Sequence, residues 1–220
     1  MTRWLLVVPV ISTAFGAVSG RVVDASLPFA AFGLVWGVIA VSVAPRIAER
    51  GRRFAGWANA PIYITCVLSL IVLGGALLGD MITTSPQDAL EVFQQAAFGV
   101  FFATIHATFE WILLPLALAA SWSYASRRCW LIVAAVLFYA GRIASSLYFA
   151  PRAVAWGADP TQAIVDDVQL WLALNWIRTL FQDGAIAAIL TWITLGLIPR
   201  GGLATEGAAS APYTRRGWSG

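Results

Sequence analysis

Long apolar stretches separated by short polar segments run through the chain, and this pattern predicts helices that cross a membrane. A helix of about 20 apolar residues spans a bilayer core about 30 Å thick. Six stretches are long enough, and they cover approximately residues 4–20, 27–44, 61–79, 97–121, 129–149 and 174–198. Their apolar residues are continuous rather than alternating, which favours helices over the strands of a barrel. We therefore predict an all-α membrane bundle with about six transmembrane helices.

The arginines predict the orientation of this bundle, because basic residues in short loops stay on the cytoplasmic side of a membrane. Most of them fall on one side of a six-span topology, namely Arg3, Arg46, Arg50, Arg52, Arg53, Arg127, Arg128, Arg200, Arg215 and Arg216. Acidic residues collect on the other side, namely Asp24, Asp80, Asp88, Glu91, Asp159, Asp166 and Asp167. We expect a multi-pass protein of the inner (plasma) membrane with both termini in the cytoplasm.

This topology divides the chain into a transmembrane domain of residues 1–199 and a flexible cytoplasmic tail of residues 200–220. The tail is rich in glycine, alanine and serine and has few residues that can anchor it. Residues 1–20 also have the basic start and short apolar core of a signal peptide, and we expect them to be retained as the first helix.

Composition excludes several functional classes. Of the 220 residues, 60% are hydrophobic and 11% are charged, whereas soluble proteins carry about 25% charged residues. The net charge is +3, but every cation is an arginine and the clusters flank the apolar stretches, so we expect no nucleic acid partner. The lipid bilayer is the expected partner. A membrane-protein partner or a homo-oligomer stays open.

Short motifs predict how the helices pack and where two of them begin. The segments GAVSG at 16–20, GLVWG at 33–37 and GALLG at 75–79 have the spacing of small residues that lets helices approach closely. Ser85 followed by Pro86 predicts the start of a short interfacial helix before the fourth span. Asp159 followed by Pro160 predicts a second helix start, and the segment that follows either lies at the outer interface or extends the sixth span.

The fourth span carries the only histidine, His106, and Glu110 lies one helical turn later. Ionisable residues inside a membrane span are costly and usually functional. With a rise of 1.5 Å per residue, His106 lies about 14 Å below the outer end of its helix and Glu110 about 6 Å deeper. Arg142 on the fifth span lies about 10 Å from the same surface, so His106 and Arg142 are expected at similar depths.

The last span contributes a stripe of mostly polar residues to the same half of the bundle. Trp171, Asn175 and Arg178 follow one another on one helical face, whereas Asp183 is expected to face elsewhere. Together with Ser146 and the preceding Ser145, these residues predict a polar pocket in the outer half of the bundle. We predict Trp171, Asn175 and Ser146 as ligand-binding residues.

Each member of this cluster also has a structural interpretation. His106 and Glu110 can satisfy each other by hydrogen bonding, Arg142 can form an ion pair with Glu110, and Arg178 can extend to the outer interface. One histidine without further ligands is too few for a zinc or haem site, and Cys66 and Cys129 lack the spacing of a metal site. We therefore predict no metal, and the sequence leaves any cofactor unknown.

The segment LWLALNWIRTLFQDGAIAAIL, residues 170–190, resembles the final helix of the anthrone-oxygenase-like family of small multi-pass membrane proteins. In that family a pattern W-x-x-L-[HN]-x-x-R recurs, and Trp171, Leu174, Asn175 and Arg178 match it. The preceding SLYFAPRAV is also similar to the family. The resemblance implies a four-helix unit at about residues 61–198 that acts on polyketide-like aromatic substrates in the fungal members, without an evident metal or flavin.

From these observations we expect a membrane protein whose outer-half pocket binds an apolar or aromatic small molecule. A cofactor-independent oxygenase is the activity that the resemblance suggests. His106 is then the acid–base group and Glu110 its orienting partner, while Arg142 and Arg178 stabilise developing negative charge. The alternative is a non-catalytic accessory subunit of a larger membrane complex.

Overall fold

The computed structural model describes the backbone of residues 4–197 and the side chains of residues 6–95, 100 and 103–197. Within residues 4–197 the chain forms helices and no strands. Six helical runs there are long and apolar enough to cross a membrane, namely Leu6–Val23, Ser26–Arg53, Ala55–Ile82, Ala103–Ala120, Ala125–Ala158 and Val165–Leu197. The predicted all-α membrane bundle is thus confirmed, whereas the predicted tail at 200–220 lies outside the described residues.

Ten α-helices make up these runs and the connections between them, within residues 4–197. They are α1 (Trp4–Gly20), α2 (Ser26–Arg53), α3 (Ala55–Ile82), α4 (Pro86–Phe93), α5 (Ala96–Thr108), α6 (Leu114–Ala120), α7 (Ala125–Ala144), α8 (Ala150–Ala158), α9 (Val165–Ile177) and α10 (Gly184–Leu197). Three π-helical segments interrupt the last three runs, and we call them π1 (Phe109–Leu113), π2 (Ser145–Phe149) and π3 (Arg178–Asp183).

Several helices are longer than the predicted spans. The second run continues to Arg53 and the third begins at Ala55, so the arginines expected in a loop lie on a helical extension instead. A helix that leaves the bilayer can continue in water when its outer turns carry charged side chains, and here Glu49 forms ion pairs with Arg52 and Arg53. The sixth run begins at Val165 and not near residue 174, so the part of the preceding segment from Val165 on is continuous with this span.

The small-residue motifs hold α1 and α2 together as a hairpin. A Cβ atom added to Gly33 would overlap the backbone carbonyl of Ser12, and one added to Gly16 would overlap the carbonyl of Phe29. Only glycine therefore permits this helix–helix distance. The close packing predicted for the first two motifs is confirmed.

A layer that we call the cap closes one end of the bundle, and it consists of α4, α8 and the first half of α9. Ser85 begins α4, as the sequence predicted, and it forms a reciprocal capping box with Asp88. Hydrogen bonding with the Ser85 side chain, and then with Thr84, lowers the pKa of Asp88 below its ordinary value. The apolar faces of the three elements bury a common cluster, namely Ala89, Trp156, Val168, Trp171 and Leu172.

The second predicted helix start is only partly correct. Asp159 accepts a hydrogen bond from the backbone N–H of Thr161, but this caps a single 3₁₀ turn, Pro160–Gln162. Hydrogen bonding with the Thr161 side chain, and then with Gln162, lowers the pKa of Asp159. The chain is extended at Ala163 and at Ile164, and α9 begins after them. The local cap therefore begins a single turn and not the long helix.

The opposite end of the bundle carries the arginine clusters of the α2–α3 and α6–α7 connections. The Tyr124 hydroxyl donates a hydrogen bond to the Gly51 carbonyl at 3.1 Å, and Arg127 donates one to the Asn59 side chain at 2.8 Å. These contacts tie the two connections together. The cap and this arginine-rich end therefore mark the two ends of the membrane-spanning body.

Candidate functional site

A cavity of about 620 Å³ lies beneath the cap, between the α1–α2 hairpin and the last three runs. Most of its wall is apolar, and α3, α5, α7, α8 and α9 all contribute to it. Six residues predicted from the sequence line it, namely His106, Glu110, Arg142, Trp171, Asn175 and Arg178. The polar residues of the fourth, fifth and sixth runs therefore converge on one space, as their depths in the sequence indicated.

Glu110 and Arg142 form an ion pair across the cavity wall. The Arg142 Nε atom donates to Glu110 Oε2 at 2.8 Å, and only 2% of the Glu110 side chain is exposed. The Tyr139 hydroxyl donates to the backbone carbonyl of Glu110 at 2.7 Å and holds π1 against α7. The ion pair that the sequence allowed is present, and Glu110 positions the Arg142 guanidinium. Its predicted orienting role toward His106 stays a prediction.

His106 lies on α5, one turn before Glu110, and its half-buried imidazole faces the cavity. The imidazole centroid is 6.1 Å from the ring centroid of Phe138 on α7. The histidine is therefore placed where it can exchange a proton with a molecule inside the cavity.

A second polar network joins α3 to the sixth run. Arg178 donates from Nε at 3.2 Å and from Nη2 at 2.8 Å to the side-chain carbonyl of Asn175. The Asn175 amide nitrogen in turn donates to Asp80 Oδ1 at 2.5 Å. Arg178 also lies over the Phe149 ring, 5.3 Å from its centroid. The interpretation that Arg178 extends to the interface is therefore wrong, because its partners hold it in the bundle.

Asp80 is a site residue that the sequence analysis missed. We placed it in a polar loop, but α3 continues to Ile82 and Asp80 is 3% exposed in the cavity wall. The apolar residues Met81 and Ile82 that follow it were the available signal. An acid inside a continuing apolar helix needs a polar partner within the protein, and Asn175 provides one.

Asp183 also differs from its prediction. A regular helix would turn it away from Arg178, but the wider turn of π3 changes the register. Its Oδ2 atom lies 4.0 Å from Arg178 Nη1, and the Asp183 side chain is 9% exposed. Asp183 therefore faces the same guanidinium as Asn175 does.

The other two predicted ligand-binding residues have different positions. The Trp171 indole N–H donates to the Phe149 carbonyl at 3.0 Å, and its ring packs edge-on against Phe93 in the cap. Trp171 therefore joins the cap to the cavity wall. Ser146 is buried at 2% exposure but is not among the lining residues, whereas the neighbouring Ser145 is.

All three π segments border the cavity, and two of them share a sequence signal. Pro115 and Pro151 each follow the end of a π segment by two residues. Proline has no N–H group, and its ring crowds the carbonyl four residues earlier, so a widened turn relieves this contact. In both segments the residue before the proline donates its N–H five residues back, Leu114 to Phe109 and Ala150 to Ser145. Such segments are frequent at functional sites.

Trp111 on π1 connects the cavity to the α1–α2 hairpin, and the sequence analysis did not single it out. Three rings of the hairpin pack edge-on around it, those of Phe15, Phe32 and Trp36, with centroid distances of 5.7, 5.2 and 5.3 Å. The aromatic contacts hold the hairpin beside the cavity. No local pattern in the sequence signals these contacts, because the partner rings come from two other helices.

Within the part of the chain that the structure describes, no group of three or more histidine, cysteine, aspartate or glutamate residues is arranged to hold a metal ion. No protein-family model, no curated protein and no solved structure matches the chain.

Proposed function

We propose that the protein is a multi-pass protein of the inner membrane whose cavity binds an apolar or aromatic small molecule. The observation that carries this proposal is the combination of a mostly apolar wall with two guanidinium groups, Arg142 and Arg178, each held by a partner in the wall. The positive-inside rule places the arginine-rich end in the cytoplasm, with both termini, and the cavity in the outer half.

The cavity has the properties of a ligand site rather than of a packing defect. Its volume of about 620 Å³ lies within the range of about 300–1,000 Å³ that small-molecule sites have. Among the described residues, Arg142 uses only its Nε atom for the bond to Glu110, so its terminal nitrogens can donate to a ligand. Such donors bind an anionic oxygen, for example that of a phenolate or a carboxylate, more strongly than a neutral one.

The activity that we propose for this site is a cofactor-independent oxygenation of the bound aromatic molecule. An acidic CH₂ group of the substrate gives a proton to His106, and Arg142 and Arg178 stabilise the negative charge that spreads onto the substrate oxygen. The carbanion then adds molecular oxygen, and the peroxide anion that forms takes the proton back from His106. The resulting hydroperoxide loses water and leaves a carbonyl group, so one O₂ supplies the carbonyl oxygen and one water.

Two lines of support favour this chemistry over simple binding. The residues that resemble the anthrone-oxygenase-like pattern, Trp171, Asn175 and Arg178, lie on the wall of the cavity. The cap covers the cavity and the Glu110 side chain beside Arg142 is 2% exposed, so charge stabilisation by fixed donors is stronger there than at an exposed surface.

Native mass spectrometry of the mildly solubilised protein tests the proposal. We expect a bound small molecule on the wild-type chain, and its loss in His106→Ala and in Arg178→Ala while both variants still extract as folded species. Arg152→Ala is the matched control, because Arg152 is exposed, packs over Tyr148 and lies outside the cavity wall.

The opposite result would favour the accessory subunit. In that case a partner chain co-purifies with the protein, no small molecule is bound, and the Arg178→Ala change lowers stability without changing any bound mass.

A further inference from the structure

The cap packs over the outer end of the cavity. Its elements bury Trp156 and Trp171 in one cluster, and Gly157 of α8 approaches the Phe93 carbonyl of α4 so closely that a Cβ atom would lie 2.5 Å from it. The cap also contacts the turn of the α1–α2 hairpin, at Arg21–Val23. A ligand that came from water through the middle of the cap would have to break a packed apolar layer.

The side of the cavity is built differently. The exposed apolar residues of its wall are Val23 and Phe29 on the hairpin, Ala103 and Ala107 on α5, and Val154 on α8, while Gln95, just before α5, is exposed and polar. A lining residue that is exposed lies where the cavity meets the surroundings. The opening therefore lies between the hairpin and α5, and it reaches the edge of the cap at Val154 and Gln95.

The packing of the helices explains this opening. α2 packs against α6, and close to the arginine-rich end Gly51 touches the Ala120 backbone. α5 packs against α3, α4 and π1. Ala107 lies about 16 Å along α5 from its first residue, and Ala103–Ala120 is an apolar run that can span a membrane. The opening thus faces the hydrocarbon of the bilayer.

We propose that the ligand enters sideways from the membrane, through the opening between Phe29 and the α5 residues Ala103 and Ala107. This inference rests on the proposed function and names its substrate class. The ligand is a membrane-dissolved amphiphile with one apolar body and one oxygen-bearing head. The head binds Arg142 and Arg178, and the body occupies the apolar wall up to the opening.

The size and polarity of the cavity restrict this class further. A phospholipid with two acyl chains is larger than a cavity of about 620 Å³. The single-chain or single-ring amphiphile therefore fits, whereas a whole membrane lipid does not.

Photolabelling in phosphatidylcholine vesicles tests the route. The probe is a fatty acid that carries a diazirine at the end of its chain, and the labelled residues are located by peptide mass spectrometry. We expect label on the wild-type segments 103–111 and 145–154, and about tenfold slower labelling of them in Ala107→Trp, whose indole fills the opening. Ala188→Trp is the matched control, because Ala188 is an exposed alanine of α10 outside the cavity wall.

Three results would overturn the inference. Equal labelling rates in Ala107→Trp, Ala188→Trp and the wild type would show that ligands do not pass this opening. Label confined to other surfaces of the wild type would show that the amphiphile does not enter. Equal labelling of the cavity by a phosphatidylcholine that carries the same diazirine chain would contradict the substrate class.

The failure of the inference is distinguishable from failure of the proposed function. If the natural ligand is found by native mass spectrometry and Ala107→Trp does not slow its exchange, the proposed ligand site is supported and the sideways route of entry is contradicted. Ala103→Trp gives a second test from the same helix if Ala107→Trp does not extract as a folded species, with the same expected and contradicting results.

Discussion

The first three membrane-spanning runs and the last three are built in different ways. The first three contain no π segment, and close contacts between glycines and backbone carbonyls hold the first two together. Each of the last three contains a π segment, and each of these segments borders the cavity. The protein therefore separates a regular scaffold from an irregular, polar half.

This difference follows the distribution of the buried polar residues. In the last three runs, Glu110, Arg142 and Arg178 lie in or next to a wider turn, which changes the direction of the side chains that follow. In the first three, Asp80 is the buried acid among the described residues, and it belongs to the same network through Asn175. A widened turn lets neighbouring polar side chains reach one cavity without a loop inside the membrane.

The substitution expected to disturb folding most lies in the regular half, which is the first three runs. Gly33→Leu places a large side chain where even a Cβ atom would overlap the Ser12 carbonyl, so α1 and α2 must separate. We expect loss of a monodisperse species on size-exclusion chromatography. Gly74→Leu is the control, because open space surrounds a Cβ atom at Gly74. Equal behaviour of the two variants would show that the close hairpin is dispensable.

The next largest effect is expected in the polar half. Glu110→Gln leaves Arg142 without its carboxylate partner inside the bundle, and breaking a buried pair costs about 3 kcal/mol. We expect a clearly lower Tm in detergent. Glu49→Gln removes an exposed carboxylate that also pairs with arginine, and exposed pairs contribute about 0–1 kcal/mol. Similar decreases in Tm for both variants would argue against a low-dielectric environment at Glu110.

A substitution with a smaller effect on ligand binding distinguishes two causes of π1, the proline that follows it and the ion pair of Glu110. Pro115→Ala restores an N–H group after π1 and removes the ring that crowds the preceding turn. We expect π1 to revert to a regular helix, which rotates Glu110 and weakens ligand binding about tenfold, or about 1.4 kcal/mol.

The matched substitution is Pro45→Ala, since Pro45 lies inside the regular helix α2. Titration of the ligand found by native mass spectrometry measures both variants. If Pro115→Ala binds as the wild type does, the ion pair of Glu110 maintains the wide turn and the proline does not.

The smallest effect is expected at the connection between the two halves. Asp88→Asn weakens the capping box with Ser85, and the lowered pKa of Asp88 gives the effect its pH dependence. The folded-state pKa lies below the ordinary value of 3.8, so the carboxylate stabilises the fold above that pH. The stabilisation is lost as the pH falls through the folded-state pKa.

Thermal unfolding of Asp88→Asn and the wild type over the acid range checks this sign. We expect a small difference in Tm at neutral pH that disappears at the acid end. A difference that grows on acidification would contradict the assignment.

Much of the fold could be predicted from the sequence because lipid imposes one rule on every span. A long apolar run must satisfy its own backbone, so helix number, order and type follow from length and hydropathy. That His106, Glu110 and Arg142 lie near one another could be predicted from the depth of each residue along its helix. Two neighbouring antiparallel helices bring residues at equal depth side by side. The capping box at Ser85 was readable because it is a local pattern.

What the sequence analysis missed depends on register and helix length. The face of Asp183 was predicted for a regular helix, and the wider turn of π3 moves it toward Arg178. Asp80 was assigned to a loop because its acidic side chain was taken to mark the end of the third span. In the structure Asn175 donates a buried hydrogen bond to Asp80, which therefore lies within α3. Trp111 packs against aromatic rings of two other helices, and no local sequence pattern predicts such a contact.

The apolar opening of the cavity, at Phe29 and Ala107, determines how the concentration of the proposed ligand is best expressed. For an amphiphile that dissolves almost wholly in the surrounding lipid or micelle, occupancy of the cavity follows its mole fraction there, not its total molarity in the sample. Adding empty micelles at constant total ligand lowers that mole fraction and weakens apparent affinity in proportion. A dose–response curve for this protein therefore has meaning only when the amount of amphiphile is stated with it.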